Sequence, residues 1–189
     1  MATMSKADAG TTYVVCEGQS DAVLVDRLLI PPFDREQVRV LAANGIGMAV
    51  SLARTLLTTT PARVAVAVDA DGGATVRSDV EMALADVAYR PRWGVFVFTP
   101  SLERWVAAEP AAVAAVVGRS LAEAELAELG RDPARFLRGA AASLQESYPS
   151  FMDQLARQLK PGGARDKEPM PSLIAFVNAA PAGLLAQPA

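Results

Sequence analysis

Between residues 11 and 99 of the chain, short β-branched apolar runs alternate with amphipathic stretches of helical length. This is the pattern βαβ units leave in a sequence, and it predicts a mostly parallel sheet. Thr12–Glu17 (TYVVCE) reads as a first strand, and Asp21–Ile30 as a helix that Pro31-Pro32 ends. Val38–Ala42 reads as a second strand, followed by Asn44-Gly45-Ile46-Gly47 and a helix to about Leu57. Arg63–Asp69 (RVAVAVD) is apolar without alternation, as a strand covered on both faces should be. A helix over Ser78–Ala88, opened by a capping box of Ser78 and Glu81, and a fourth strand over Gly94–Thr99 complete the series.

Beyond Pro100 the chain turns to Ala, Leu, Glu and Arg, and the apolar spacing becomes helical throughout. Helices are predicted at about 102–108, 111–118, 121–129, 133–145 and 150–160, punctuated by Pro110, Gly118, Gly130, Asp132-Pro133 and Pro149. A polar loop opens at Lys160-Pro161-Gly162-Gly163, and a last short helix runs over Pro171–Ala179. The expected fold is α/β: a small parallel sheet flanked by helices over residues 11–109, with a helical extension over 110–189 packed on it.

Composition narrows the chemistry. The 189 residues include no His and one Cys, Cys16. Ser-His-Asp and Cys-His couples, His-bearing metal sites, internal disulfides and Cys-rich metal cages are thereby excluded. Acid–base work near neutral pH then falls to carboxylates, Lys or an activated water. The opening MATMSKADAGTTYVV has no basic segment followed by a long apolar run, and the apolar stretch from Trp105 to Val117 is broken by Glu109-Pro110. A cytoplasmic protein without membrane partners is expected. The net charge of −3 argues against a dedicated duplex-DNA binder. That charge is uneven, with 11 acids and 7 bases in residues 1–89 against 10 and 11 in residues 90–189.

The acids cluster where a parallel sheet gathers ligands, beyond the carboxyl ends of its strands. Asp69-Ala70-Asp71 closes the most apolar strand, and residues i and i+2 of an extended segment point the same way. Two such carboxylates repel unless a cation neutralises them, and hard oxygen donors favour Mg²⁺ or Mn²⁺. An acidic surface turn is the competing reading. Glu17 ends the first strand, which is unfavourable for a carboxylate without a partner. Asp21 falls in the first turn of the next helix, where capping explains it as well as ligation does. Ser101 and Glu103 follow the fourth strand, with a helix cap again the alternative. Asn44-Gly45 admits both a phosphate-binding helix start and a tight turn. Arg90-Pro91-Arg92-Trp93 enters the fourth strand from the far edge and reads as surface. Cys16 reads as a buried small apolar residue.

Glu17-Gly18 after a first strand, with Asp69-x-Asp71 after a third, resembles the TOPRIM domain of topoisomerases, bacterial primases, RNA-maturation nucleases and OLD-family nucleases. The resemblance covers roughly residues 11–109 and is nearest to the OLD branch. That branch has an acid four residues after the first Glu, matched by Asp21, and a Ser-x-Glu element matched by Ser101-Leu102-Glu103. It also carries a lysine near the site, for which Lys167 is the candidate and Lys160 the fallback. The resemblance implies a Rossmann-like sheet and phosphodiester hydrolysis of DNA or RNA with one or two Mg²⁺ or Mn²⁺ ions. Glu17, Asp69 and Asp71 would hold one ion; Asp21, Ser101 and Glu103 would help hold a second. One ion would acidify the attacking water, the other would stabilise the leaving oxygen, and the lysine would offset developing charge. OLD proteins also carry an ATPase domain, but the sequence has no Gly-x-x-x-x-Gly-Lys-Ser/Thr loop. A separate ATPase chain would explain the missing domain, and a homodimer is left open.

Two other readings compete. One is a non-catalytic TOPRIM subunit that binds nucleic acid or protein. The other is a receiver-like module with Asp69 as phospho-acceptor, Thr99 as switch and Lys167 as cationic partner. A covalent topoisomerase mechanism is disfavoured, because Tyr13, Tyr89 and Tyr148 have no evident place opposite the acids.

Overall fold

The computed structural model describes residues 10–30, 33–70, 73–87, 92–160 and 166–179. Its centre is a four-stranded, all-parallel sheet of β1 (Thr12–Cys16), β2 (Val38–Ala42), β3 (Arg63–Asp69) and β4 (Trp93–Phe98), in the order β2-β1-β3-β4. Parallel neighbours require crossovers, supplied by α1 (Gln19–Leu29), α2 (Ile46–Thr59) and α3 (Val76–Leu84). The chain steps from β1 to one side of the sheet and then back across it to β3 and β4. Crossovers of one hand that run in opposite directions place their helices on opposite faces. Two separate apolar clusters follow. Val15, Val64, Val66, Val68 and Val95 pack under α2 and α3, whereas Val14, Cys16, Ala65, Ala67 and Phe98 pack under α1. The period-2 alternation of a strand thus divides RVAVAVD between two cores, valines to one face and alanines to the other.

Among the described residues follow the helices α4 (Glu103–Ala107), α5 (Pro110–Val117), α6 (Glu123–Arg131), α7 (Pro133–Ser143), α8 (Tyr148–Gln158) and α9 (Met170–Asn178). No strand follows β4 among the described residues. Leu102, Val106, Val113, Leu137, Phe151, Leu155 and Met170 belong to the same cluster as the α1 face of the sheet, so these helices extend that core. Two contacts tie the layers: Phe98 meets Trp105 edge-to-face at 5.0 Å, and the Arg27 Nε–H donates to the Ala156 carbonyl at 3.1 Å. The last helix packs on β4, where Phe96 meets Phe176 at 5.5 Å. The Arg63 guanidinium lies 3.9 Å from the Phe176 ring centroid and donates to the carbonyls of Phe176 and Ala179. Among the described residues no helix is long and apolar enough to cross a membrane.

Several local expectations need correction. The third helix starts at Val76, so Ser78 does not cap it; the Ser78 hydroxyl donates to the Thr75 carbonyl, and Glu81 faces Arg77 at 3.9 Å. Trp93 is the first residue of β4 and is buried, not part of a surface loop. Arg92 donates to the carbonyls of Thr60 and Ala62. Arg90 and Pro91 lie outside the described residues.

Candidate functional site

The site is built by strand ends. In the parallel register Cys16 pairs with Ala67 and Asp69 with Phe98, so Glu17 leaves β1 one level below the end of β3. These neighbours are the point at which the chain diverges to opposite sides of the sheet, where open α/β sheets form their crevice. A cleft of ≈ 840 Å³ occupies it, and its walls include Glu17, Asp21, Asp69, Ser101 and Glu103 together with Asn44, Gly45, Arg138 and Tyr148. Five of the six expected metal ligands therefore meet in one place. The sixth, Asp71, lies outside the described residues.

Backbone contacts hold the rim. The Ala43 N–H donates to the Cys16 carbonyl at 2.9 Å and the Gly45 N–H to the Glu17 carbonyl at 3.0 Å, stitching the loops after β1 and β2 together. Gly45 has φ 89° and ψ 163°, a conformation open essentially to glycine alone. At the start of α1 the Gly18 N–H donates to Asp21 Oδ2 at 2.9 Å. A side chain at position 18 would put its Cβ 3.0 Å from that oxygen. The helix cap foreseen for Asp21 is thus formed, in a residue that also faces the cleft.

Asp69 has the same parity along β3 as Ala65 and Ala67, which turns it toward the α1 side. There its Oδ1 accepts from the Leu102 N–H at 3.0 Å, which orients the start of α4. Ser101 does not provide this cap, because α4 begins at Glu103 without a side-chain cap from its own turn. Glu103 is 7% exposed, and its Oε1 accepts from the Tyr148 hydroxyl at 3.2 Å. The Tyr148 phenol is pushed above its ordinary range, first by burial and then by the Glu103 charge and hydrogen bond; Arg138 opposes the shift. Arg138 lies one helical turn beyond Ala134 on α7, its guanidinium carbon 5.3 Å from the Tyr148 ring centroid. Beneath the floor, the fully buried Cys16 thiol is raised well above its usual value, mostly by burial and further by the charges of Asp21 and Asp69.

The structure does not bring the expected lysines to this place. Lys167 and Lys160 are both exposed and neither lines the cleft. The Lys160 backbone N–H instead donates to Glu109 Oε2 at 3.0 Å. A receiver-like reading depends on Lys167 as cationic partner, and Lys167 is not among the residues that line the cleft. The cation that lines the cleft, among the described residues, is Arg138. Tyr148, set aside in the sequence, stands directly against the acidic group. Neither residue leaves a local signal: both come from α7 and α8, which the tertiary fold carries back over the sheet. The Asn44-Gly45 turn was visible as a phosphate-loop candidate, and it does reach the cleft.

Oxygen donors of this kind match Mg²⁺ or Mn²⁺ in chemistry. Among the described residues, however, no three acidic side chains stand close enough together to form a ready ion cage. No family model, curated protein or solved structure matches the chain.

Proposed function

We propose that the chain is a TOPRIM-like nuclease module of the OLD type, which hydrolyses nucleic-acid phosphodiesters with Mg²⁺ or Mn²⁺. The observation that carries this reading is the position of Glu17 and Asp69 at adjacent carboxyl ends of β1 and β3, with Asp21 and Glu103 lining the same cleft. Four carboxylates sharing a partly enclosed space repel one another, and neutralisation by a cation relieves that repulsion. Glu17, Asp69 and Asp71 are the proposed ligands of one ion; Asp21, Ser101 and Glu103 are proposed for a second. A bound divalent ion supplies Lewis-acid activation of water and charge compensation at phosphate, chemistry that a histidine-free chain lacks in its side chains.

The chain's own groups do the positioning. Asp69 is oriented by the Leu102 N–H, Asp21 by the Gly18 N–H, and Glu103 by the Tyr148 hydroxyl, so three carboxylates present fixed oxygens before any substrate arrives. The same hydrogen bonds favour a second reading. Each of these acids already has a structural task, and that favours a non-catalytic subunit that binds nucleic acid or protein.

The test is cleavage of plasmid, single-stranded DNA and structured RNA by the purified protein in Mn²⁺ or Mg²⁺. Glu17→Ala and Asp69→Ala should each lower cleavage by roughly two orders of magnitude or more, since even groups behind the ligands are worth about 10–100-fold. Undiminished cleavage by both variants would sink the nuclease reading. Calorimetric Mn²⁺ binding by a protein that cleaves nothing would select the non-catalytic one.

A further inference from the structure

We infer that Arg138 is the phosphate-binding residue of the carboxylate cleft, held in place by the face of Tyr148. The inference rests on the reading of the cleft as a phosphodiester site and names the group that would grip the substrate. Arg138 lines a cleft shared with Glu17, Asp21, Asp69 and Glu103, yet it forms no ion pair and no hydrogen bond with any described residue. An arginine among so many carboxylates ordinarily pairs with one of them, because the planar guanidinium matches a carboxylate with two parallel N–H···O bonds. Here the geometry keeps it apart. Its contact is the Tyr148 ring, 5.3 Å from the guanidinium carbon, and the Tyr148 hydroxyl is itself fastened to Glu103 at 3.2 Å.

The ring therefore separates cation from carboxylate while fixing both. A guanidinium held over an aromatic face by its charge can keep its in-plane N–H donors free for an anion, because the cation–ring attraction consumes none of them. Those donors are exposed on α7 and unspent, and a phosphate is the anion whose geometry they fit. The carboxylates on the strand ends and the guanidinium on α7 then divide the work: the acids serve cations, and Arg138 serves a phosphate oxygen directly.

The experiment uses the full chain with Arg138→Met and Arg138→Lys. Methionine keeps an apolar stem over the Tyr148 ring and removes every N–H donor. Binding of a fluorescein-labelled, cleavage-resistant phosphorothioate oligonucleotide is followed by anisotropy in Mn²⁺ across a salt series, and Mn²⁺ binding by calorimetry. Arg138→Met should bind the oligonucleotide roughly 10- to 100-fold more weakly, with the salt slope reduced by about one. Arg138→Lys should recover part of the affinity, and Mn²⁺ binding should be unchanged in both. Wild-type affinity and slope in Arg138→Met would overturn the inference, as would Mn²⁺ binding by a wild-type protein that takes up no oligonucleotide. Oligonucleotide binding that needs Arg138 in a protein that binds no Mn²⁺ would uphold it and overturn the metal reading instead.

Discussion

The Tyr148 hydroxyl, 3.2 Å from Oε1 of Glu103, stands between a nearly buried carboxylate and the loss of its hydrogen-bond partner. Removing one member of such a pair leaves the other to bear its desolvation alone. Tyr148→Phe should lower stability by about 1–3 kcal/mol, read from a reduced urea midpoint at unchanged slope. The same contact predicts an alkaline effect. Burial and the Glu103 charge hold the phenol proton in the folded protein above the pH at which the unfolded chain releases it, near 10. Above that pH the unfolded state binds fewer protons, so stability falls as pH rises. Tyr148→Phe should flatten this decline, which thermal midpoints measured from pH 9 upward would reveal. An unchanged pH dependence in the variant would contradict the geometry. Residues of this kind are not legible in the sequence. Glu17, Asp21 and Asp69 declare themselves because a charge at the end of an apolar strand or the start of a helix is a local anomaly. Tyr148 and Arg138 sit in ordinary amphipathic helices and acquire meaning only when α7 and α8 fold back over the sheet.

At the level of elements, periodicity located the strands closely and the helix starts to within a turn, while what caps those starts stayed hidden. β2 and β3 fall where their β-branched runs do; β3, buried on both faces, needs little but continuous apolarity, whereas β2 is an edge strand that leaves Arg39 and Ala42 exposed. Helix starts depend on caps, and the caps here are partly tertiary: α4 receives Asp69, which is 33 residues upstream of Leu102. Such a cap has no sequence spacing to detect. The start of α2 is the opposite case, because Asn44-Gly45 is a turn signal in the sequence and Gly45 adopts φ 89°. Open space surrounds the position where a Cβ would stand at Gly45, so a substitution there meets strain of the backbone and no clash. Gly45→Ala should lower stability by about 1–3 kcal/mol through conformation alone. A shift of the Gly45 N–H from the Glu17 carbonyl should accompany it, seen as faster hydrogen exchange at residue 45. Equal stability and unchanged exchange would mean that the loop can adopt an ordinary turn.

On the scale of the whole molecule, the carboxylate cleft concentrates like charge that the fold has to carry. Glu17, Asp21, Asp69 and Glu103 are gathered at strand ends by the sheet, and without a cation their mutual repulsion opposes the compact state. A ligand that binds only the folded form adds RT ln(1 + [L]/Kd), about 2.7 kcal/mol when present at a hundred times its Kd. For a chain of this length such a gain raises the thermal midpoint by about 5–10 °C. Glu103→Gln separates the two effects, because its amide oxygen still accepts from Tyr148 while one of the four charges is gone. In EDTA the variant should therefore melt at or above the wild-type midpoint. In saturating Mn²⁺ the order should reverse, the wild type gaining the larger increment because it keeps the full set of oxygen donors. A wild-type midpoint that Mn²⁺ leaves unmoved, with Glu103→Gln less stable in EDTA as well, would show that Glu103 serves the fold alone and that the four acids bind no ion.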